Sequence, residues 1–163
     1  MRERREDRDR GRAREFEAFA AGAAGRLLHA AVLLTAEPST AAPRAERLLT
    51  AALARTYAEW DLLRGEDPYD RARQALALCF VRGAWRVHWE RLSPPRPAAG
   101  PGAVGVLGAL GPQERLVLVL RLYEGLTDRQ TASLIGLPED RVRAICARGV
   151  AAMRRGRVSH ARR

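Results

Sequence analysis

The spacing of apolar residues constrains the fold of this chain more than any other feature. Between its prolines and glycines, apolar side chains recur every three or four residues, as on one face of an α-helix. The first such stripe runs from Glu15 to about Leu34, before the Glu37-Pro38 break. A second begins near Pro43 and ends at Gly65, and a third begins after Asp67-Pro68 and ends at Pro94-Pro95. The pattern predicts an all-α protein.

The C-terminal third contains three more helical segments, one of which is ambiguous in isolation. The apolar run from Leu116 to Leu120 alone could equally be a buried strand. Pro112 at its start, a span of about three turns and Gly125 at its end favour a helix. A short helix is predicted from Thr127 to the Gly136 turn, and a last amphipathic helix follows.

A segment rich in proline and glycine divides the chain. Residues 93–108 contain four Pro and four Gly without a periodic apolar face, which is typical of a linker. We therefore expect two small helical modules. The predicted divisions are a disordered charged tail (1–14), a helical domain (15–92), a flexible linker (93–108), a second helical domain (109–156) and a basic tail (157–163).

The net charge of +10 is distributed unevenly. All 29 basic residues other than histidine are arginines, and they concentrate towards the two ends of the chain. From Arg141 to Arg163 there are eight arginines and no acidic residue. Such a one-signed block favours a polyanionic partner and argues against a pocket for an acidic small molecule.

Residue patterns that would indicate an enzyme, a metal site or a cofactor are missing from the sequence. The three histidines are isolated, and Cys79 and Cys146 are far apart among apolar neighbours, as expected of small buried residues in a reducing compartment. The charged N-terminus does not resemble a signal peptide, and no uninterrupted apolar run approaches the ~18 residues of a membrane span. We expect a cytoplasmic protein that is not an enzyme, with no cofactor, no metal, no small-molecule substrate and no membrane contact.

The C-terminal helices have the signature of a helix-turn-helix. Thr127 and Gln130 form a capping-box pattern, Gly136 supplies the turn, and Val142 and Ile145 face back towards the first helix. An ordinary helical hairpin with a solvated charged face is the alternative. The capping box, the turn glycine and the basic end together favour a helix-turn-helix whose second helix enters the DNA major groove.

The same stretch resembles a known family. The run LGPQERLVLVLRLYEGLTDRQTASLIGLPEDRVRAICARGVAAMRR is similar to region 4 of the extracytoplasmic-function (ECF) sigma factors of bacterial RNA polymerase, over about 45 residues. EFEAFAAGAAGRLLHAAVLLTAEP and RAERLLTAALARTYAEWDLLRGEDPY are similar, more loosely, to region 2. The order of segments is that of an actinobacterial two-domain sigma factor.

The resemblance implies a transcription initiation factor that reads a promoter minus-thirty-five element. Its implied partners are double-stranded promoter DNA and core RNA polymerase, through the β′ clamp and the β flap, and it allows an anti-sigma factor. Arg143, with Asp140 and Arg141, is expected near base edges, and the arginines further along near phosphates. The expected DNA-binding residues are Thr127, Arg129, Glu139, Asp140, Arg141, Arg143, Ala144, Arg148, Arg154 and Arg155.

The region 2 segment departs from the family pattern. Where the family presents an Asp and a Gln to the β′ clamp, this chain has Arg47 and Thr50, and Tyr57 is a further candidate contact with the polymerase. The stretch expected to hold a melted base is mostly apolar. The remaining candidates for stacking on single-stranded DNA are Arg82, Trp85, Arg86 and Trp89, although the two tryptophans fit core or interface positions better.

These departures leave two other functions open, both outside enzymology. One is a stand-alone regulator, because the C-terminal pattern also resembles the DNA-binding domain of LuxR-type response regulators, although their phosphoacceptor domain is missing. The other is a sigma-derived interaction protein that has kept the fold without directing promoter melting. Its best support is Arg47, Thr50 and Leu78.

Overall fold

The computed structural model is all-α over the residues that it describes, which are 2–63, 65–90 and 103–160, with side chains described over 6–63, 65–83 and 106–155. This confirms the predicted fold class. The α-helices are α1 (Arg2–Thr35), α2 (Pro43–Ala58), α3 (Pro68–Glu90), α4 (Ala103–Gly108), α5 (Pro112–Leu118), α6 (Asp128–Ile135) and α7 (Glu139–His160). A 3₁₀ turn (Trp60–Leu62) follows α2, and a π-helical turn (Val119–Tyr123) continues α5.

The prediction of disorder for residues 1–14 was wrong, because α1 begins at Arg2 and is continuous through this segment. Its charges lie at helical spacing, where they form local pairs: Arg10 is 2.7 Å from Asp7. Arg12 also binds the rest of the fold. Its guanidinium donates to the Asp61 carboxylate and to the Tyr57 carbonyl, and it lies 4.4 Å from the Tyr57 ring centre. The sequence has no apolar stripe in this segment, and these polar contacts, instead of apolar packing, hold the start of α1 against the fold.

Helices α1, α2 and α3 pack together as an N-terminal bundle. Their shared apolar side includes Leu27, Leu34, Ala45 and Leu76, each almost fully buried. The start of α2 is capped from outside the helix. Glu37 accepts hydrogen bonds from the backbone N–H of Arg44 and Ala45, at 3.2 and 2.8 Å, because Ala42 has no side chain that can cap.

Helices α4 to α7 form a C-terminal bundle. α4 lies within the segment expected to be a linker, so that expectation was wrong for residues 103–108, where Leu107 is buried against Leu118. Residues 91–102 lie outside the described part of the chain. The ambiguous run from Leu116 to Leu120 is helical, as the proline start and glycine stop predicted, and Gly125 follows with a φ of 71°. At the other end, α7 continues to His160 and so includes most of the segment expected to be a basic tail.

The largest apolar core belongs to both bundles. It joins Leu27 and Leu76 of the N-terminal bundle to Leu116, Leu120 and Leu126 of the C-terminal bundle. A smaller core around Val117, Val142 and Ile145 lies wholly within the C-terminal bundle, and another around Leu107 and Leu118 also contacts Leu33 of α1. The C-terminal bundle therefore has apolar contacts of its own besides those that it shares.

Helix α1 also meets a test for membrane spans. By length and composition alone, the part of α1 over Glu6–Thr35 is apolar enough to cross a bilayer. The core helix of a globular protein meets the same test, and here Leu27, Ala30 and Leu34 are buried inside the N-terminal bundle. We interpret α1 as a core helix.

Candidate nucleic-acid interface

The first helix of the predicted helix-turn-helix has both of the ends that its sequence indicates. The Thr127 hydroxyl accepts from the Gln130 backbone N–H at 3.1 Å, and the Gln130 side chain accepts from the Thr127 N–H at 2.8 Å. At the other end Gly136 has the left-handed conformation that only glycine adopts without cost. The capping box and the turn glycine are confirmed.

The second helix, α7, is fixed by one apolar side. Val142 and Ile145 are fully buried against Val117 and Ala132. One turn further on, Gly149 allows a close crossing with α5, because a Cβ at this position would lie 2.8 Å from Leu118 Cδ1. This packing places the opposite side of α7 towards solvent.

The solvent side of α7 carries most of the residues predicted to bind DNA. Arg129, at the start of α6, and Asp140 are the most exposed of those in ion pairs, with 89% and 92% of their side-chain surface accessible. Glu139 is half-exposed, and Thr127 is exposed although its hydroxyl is used in the cap. The other exposed members are Arg141, Arg143, Ala144, Arg148, Arg154 and Arg155.

Arg143, the expected base-reading residue, is surrounded by carboxylates. Its guanidinium lies 2.9 Å from Asp140, 3.2 Å from Glu139 and 3.5 Å from Asp128. Asp128 is itself 2.6 Å from Arg121, whose guanidinium also donates to the Leu126 carbonyl. The N-terminal turn of α7 is therefore a balanced charge network, and no acidic residue follows it in the sequence.

The three candidate polymerase contacts are not equivalent. Arg47 and Thr50 are exposed on the outer side of α2, and the Thr50 hydroxyl donates to the Glu46 carbonyl at 2.9 Å. Tyr57 is half-buried instead, with its ring 4.9 Å from that of Phe16 in α1. The structure thus brings Arg47 and Thr50 together on one face and turns Tyr57 towards the interior.

Of the four candidate contacts with single-stranded DNA, only Arg82 has a described side chain, and it is exposed. The helix backbone of α3 continues to Glu90. The side chains of Trp85, Arg86 and Trp89 lie outside the described residues.

The sequence analysis missed a polar cluster between the two bundles. Glu124 directly follows the π-helical turn, and its carboxylate is only 1% exposed. It accepts from the Tyr69 hydroxyl at 3.0 Å and from the Arg26 guanidinium at 3.1 Å, with Arg73 at 3.9 Å. A single signal pointed to it, a carboxylate between apolar residues just before a turn glycine.

Burial and the nearby Glu124 charge raise the pKa values of Tyr69 and Tyr123, so both phenols stay protonated as hydrogen-bond donors. Burial also raises the pKa of the Cys146 thiol, which disfavours a reactive thiolate. Among the residues with described side chains, no group of three His, Cys, Asp or Glu is arranged to hold a metal ion.

Comparison with known proteins identifies what the chain is similar to. Residues 106–155 match the family described as sigma-70, region 4, which coincides with the C-terminal bundle. The chain is 29% identical to the RNA polymerase sigma-E factor of Streptomyces coelicolor over 157 aligned residues, covering 88% of this chain and 86% of that protein. The chain is therefore similar to RNA polymerase sigma-E factors over most of its length, and the expected resemblance to sigma factors is confirmed. No solved structure matches it.

A second relative is similar over the same share of the chain. The RNA polymerase sigma-E factor of Streptomyces avermitilis is 27% identical over 157 aligned residues, again covering 88% of this chain. The alignments therefore extend into the N-terminal bundle. The chain is thus sigma-factor-like in sequence over both bundles.

Proposed function

We propose that this chain acts as a sigma factor, which reads a promoter minus-thirty-five element with α6 and α7 and delivers core RNA polymerase to that site. The observation that carries the proposal is the solvent side of α7, a basic surface on a capped helix-turn-helix whose other side is fixed in the core. Helices of this kind enter the major groove with their N-terminal residues near base edges. Such a protein works in the cytoplasm, where the chromosome is.

The charges of α7 suggest a division of roles along the helix. Arg143 lies in the first turns, where a guanidinium can bind guanine bidentately. Arg148, Arg154 and Arg155 lie beyond the acidic residues and suit phosphates, which position a protein on DNA without reading its sequence. Arg143 binds a base only after exchanging its carboxylate partners for DNA, which makes its contact conditional on a correct base.

Sequencing of duplexes selected from a random pool tests both statements. The wild type should enrich a short motif. Arg143→Ala should lose preference at one or two positions, whereas Arg155→Ala should weaken binding to all duplexes alike and lower the slope of affinity against salt by about one unit. No enriched motif with the wild type would contradict promoter reading, and equal losses from both variants would contradict the division of roles.

One observation favours a second function, a sigma-derived interaction protein that does not melt promoters. The outer side of α2 presents Arg47 and Thr50, where the family pattern has acidic and amide side chains for the β′ clamp. An arginine in place of an aspartate inverts the charge offered to the same surface. A variant with Arg47→Asp and Thr50→Gln separates the two functions: if only this variant binds core polymerase, the natural chain acts through other partners.

A further inference from the structure

The strongest unexplained feature of the molecule is the buried carboxylate of Glu124. A carboxylate removed from water is costly unless it is paired and hydrogen-bonded. Here every described partner of its side chain comes from the N-terminal bundle. Its hydrogen-bond donors, Tyr69 and Arg26, are 55 and 98 positions away in sequence. Glu124 itself belongs to the C-terminal bundle, immediately after the π-helical turn of α5.

The partners of Glu124 form a preorganised cage. The Tyr69 hydroxyl lies 3.0 and 3.2 Å from the two carboxylate oxygens, and Arg26 lies 3.1 Å from Oε2. The guanidinium groups of Arg26 and Arg73 also lie over the Tyr69 ring, 4.8 and 5.9 Å from its centre. A phenol donor and two guanidinium groups around one point are the chemistry of a carboxylate-binding site.

Neighbouring contacts strengthen the same junction. The Tyr123 hydroxyl donates to the Arg26 carbonyl at 3.3 Å, and the Tyr123 ring lies 5.1 Å from that of His29. Leu120 and Leu126 join the apolar core of the N-terminal bundle on either side of Glu124. Apolar contacts between the two bundles therefore flank the carboxylate.

We propose that Arg26, Tyr69 and Arg73 form an intramolecular docking site for the Glu124 carboxylate, which holds the two bundles together in the free chain and is vacated when they separate. Both sides of this site suit release. Its groups are charged or polar and gain water when uncovered, and the C-terminal bundle keeps an apolar core of its own around Val117, Val142 and Ile145. An assembly held by apolar contacts alone would have no polar groups to gain water on opening.

The second half of this inference, the need for separation, rests on the proposed function. Elements centred at minus ten and minus thirty-five are 25 base pairs apart, roughly 85 Å along the DNA. The longest helix, α1, has 34 residues and so spans about 51 Å. Bundles that share one core cannot reach both elements.

Small-angle X-ray scattering of the full-length chain without DNA tests the docking site. The wild type should scatter as one compact particle. Glu124→Ala should lower the ratio of closed to open molecules by about 10- to 100-fold, because the Tyr69 hydroxyl and the Arg26 guanidinium lose their charged acceptor, and should increase the radius of gyration. Helicity by circular dichroism should stay close to that of the wild type.

Glu59→Gln is the matched control. Glu59 also contacts two arginines, Arg55 at 3.5 Å and Arg71 at 3.6 Å, but all three residues lie within the N-terminal bundle. This variant should remain as compact as the wild type. If Glu124→Ala loses its helicity, Arg26→Gln and Tyr69→Phe decide the question, since each removes one donor from the cage and leaves the core side chains in place.

Two results would overturn the inference: a helical Glu124→Ala variant as compact as the wild type, or a wild type that already scatters as two separated bodies. If the deciding variants are needed, compact scattering from both overturns it as well. The experiment contains no DNA, so a negative result would leave promoter reading untouched. Failure of the duplex selection would in turn leave the docking site standing.

Discussion

At the scale of single residues, Glu37 shows how a buried carboxylate can serve the fold alone. Its side chain, 9% exposed, accepts from the first turn of α2 and pairs with the Arg44 guanidinium at 3.0 Å. Burial by itself would raise the pKa of Glu37. The hydrogen bonds from Ala45 and Arg44, with the charge of Arg44, outweigh burial and hold that pKa below its ordinary value of 4.5.

Replacing Glu37 should therefore destabilise the protein in a pH-dependent way. Glu37→Gln at neutral pH should cost about 1–3 kcal/mol in the free energy of unfolding, since two backbone donors lose a charged acceptor. Because the pKa is lower in the folded state, the carboxylate stabilises the protein above pH 4.5, and this contribution is lost as the pH falls through the folded-state pKa. Urea unfolding at pH 7 and at successively lower pH measures both the loss of stability and its dependence on pH. A difference in unfolding free energy between wild type and variant that stays constant with pH would contradict the lowered pKa of Glu37.

Gly149 should resist replacement although it lies within a helix. A Cβ there would meet three atoms of the Leu118 side chain at 2.8 to 3.3 Å, and Leu118 is itself only 2% exposed. Gly149→Ala should lower the free energy of unfolding by about 1–3 kcal/mol through overpacking, less the modest gain in helix propensity. Gly83→Ala in α3, where nothing lies within 4 Å of the new methyl group, should instead be neutral or stabilising. Thermal melts of the two variants and the wild type measure these differences. A stabilised Gly149→Ala variant would show that α5 and α7 do not cross closely.

At the scale of elements, the local signals in the sequence were the most informative. The capping box of α6, the left-handed Gly136, the proline starts of α2, α3 and α5, and the helical nature of the 116–120 run could all be predicted. They depend on residues within one or two turns of each other. The helical N-terminal segment could not be predicted, because its stabilising partners, Asp61 and Tyr57, are distant in sequence.

The capping box of α6 should contribute measurably to the stability of the protein. Thr127→Ala leaves the Gln130 N–H without its side-chain acceptor and should cost about 1 kcal/mol in the free energy of unfolding. Thr50→Ala is the matched control, because the Thr50 hydroxyl only donates to a carbonyl within α2. Denaturant titrations compare the two variants. Equal losses would mean that the cap contributes nothing beyond the removal of a hydroxyl group.

The acidic residues around Arg143 should restrain DNA binding. Asp140→Asn removes the most exposed of these carboxylates and releases one guanidinium contact, so affinity for a random duplex should rise severalfold at low salt, and the difference should shrink at high salt. Asp61→Asn serves as the control for net charge, because Asp61 pairs with Arg12 near the end of α2, away from α7. Fluorescence anisotropy measures both, and an equal gain from the control would assign the effect to net charge.

At the scale of the whole molecule, the sequence predicts two separate modules, and the structure shows that the two bundles share an apolar core. Composition and the linker segment predict two modules, whereas Leu116, Leu120 and Leu126 enter one core with the N-terminal bundle, around Glu124. Periodicity identifies which face of a helix is apolar but not which element will cover it. The buried cluster of Glu124, Arg26, Tyr69 and Arg73 joins residues up to 98 positions apart, so the local sequence could draw attention to Glu124 but could not predict its partners.

Binding to core RNA polymerase tests the central claim most directly. The measurement is size-exclusion co-elution of the full-length chain with purified core enzyme, with the Streptomyces coelicolor sigma-E factor as the positive control. The account predicts that the natural chain co-elutes with the polymerase and that the complex retains duplexes carrying the selected motif. Failure of the natural chain to co-elute, under conditions where the control does, would contradict the proposed role as an initiation factor.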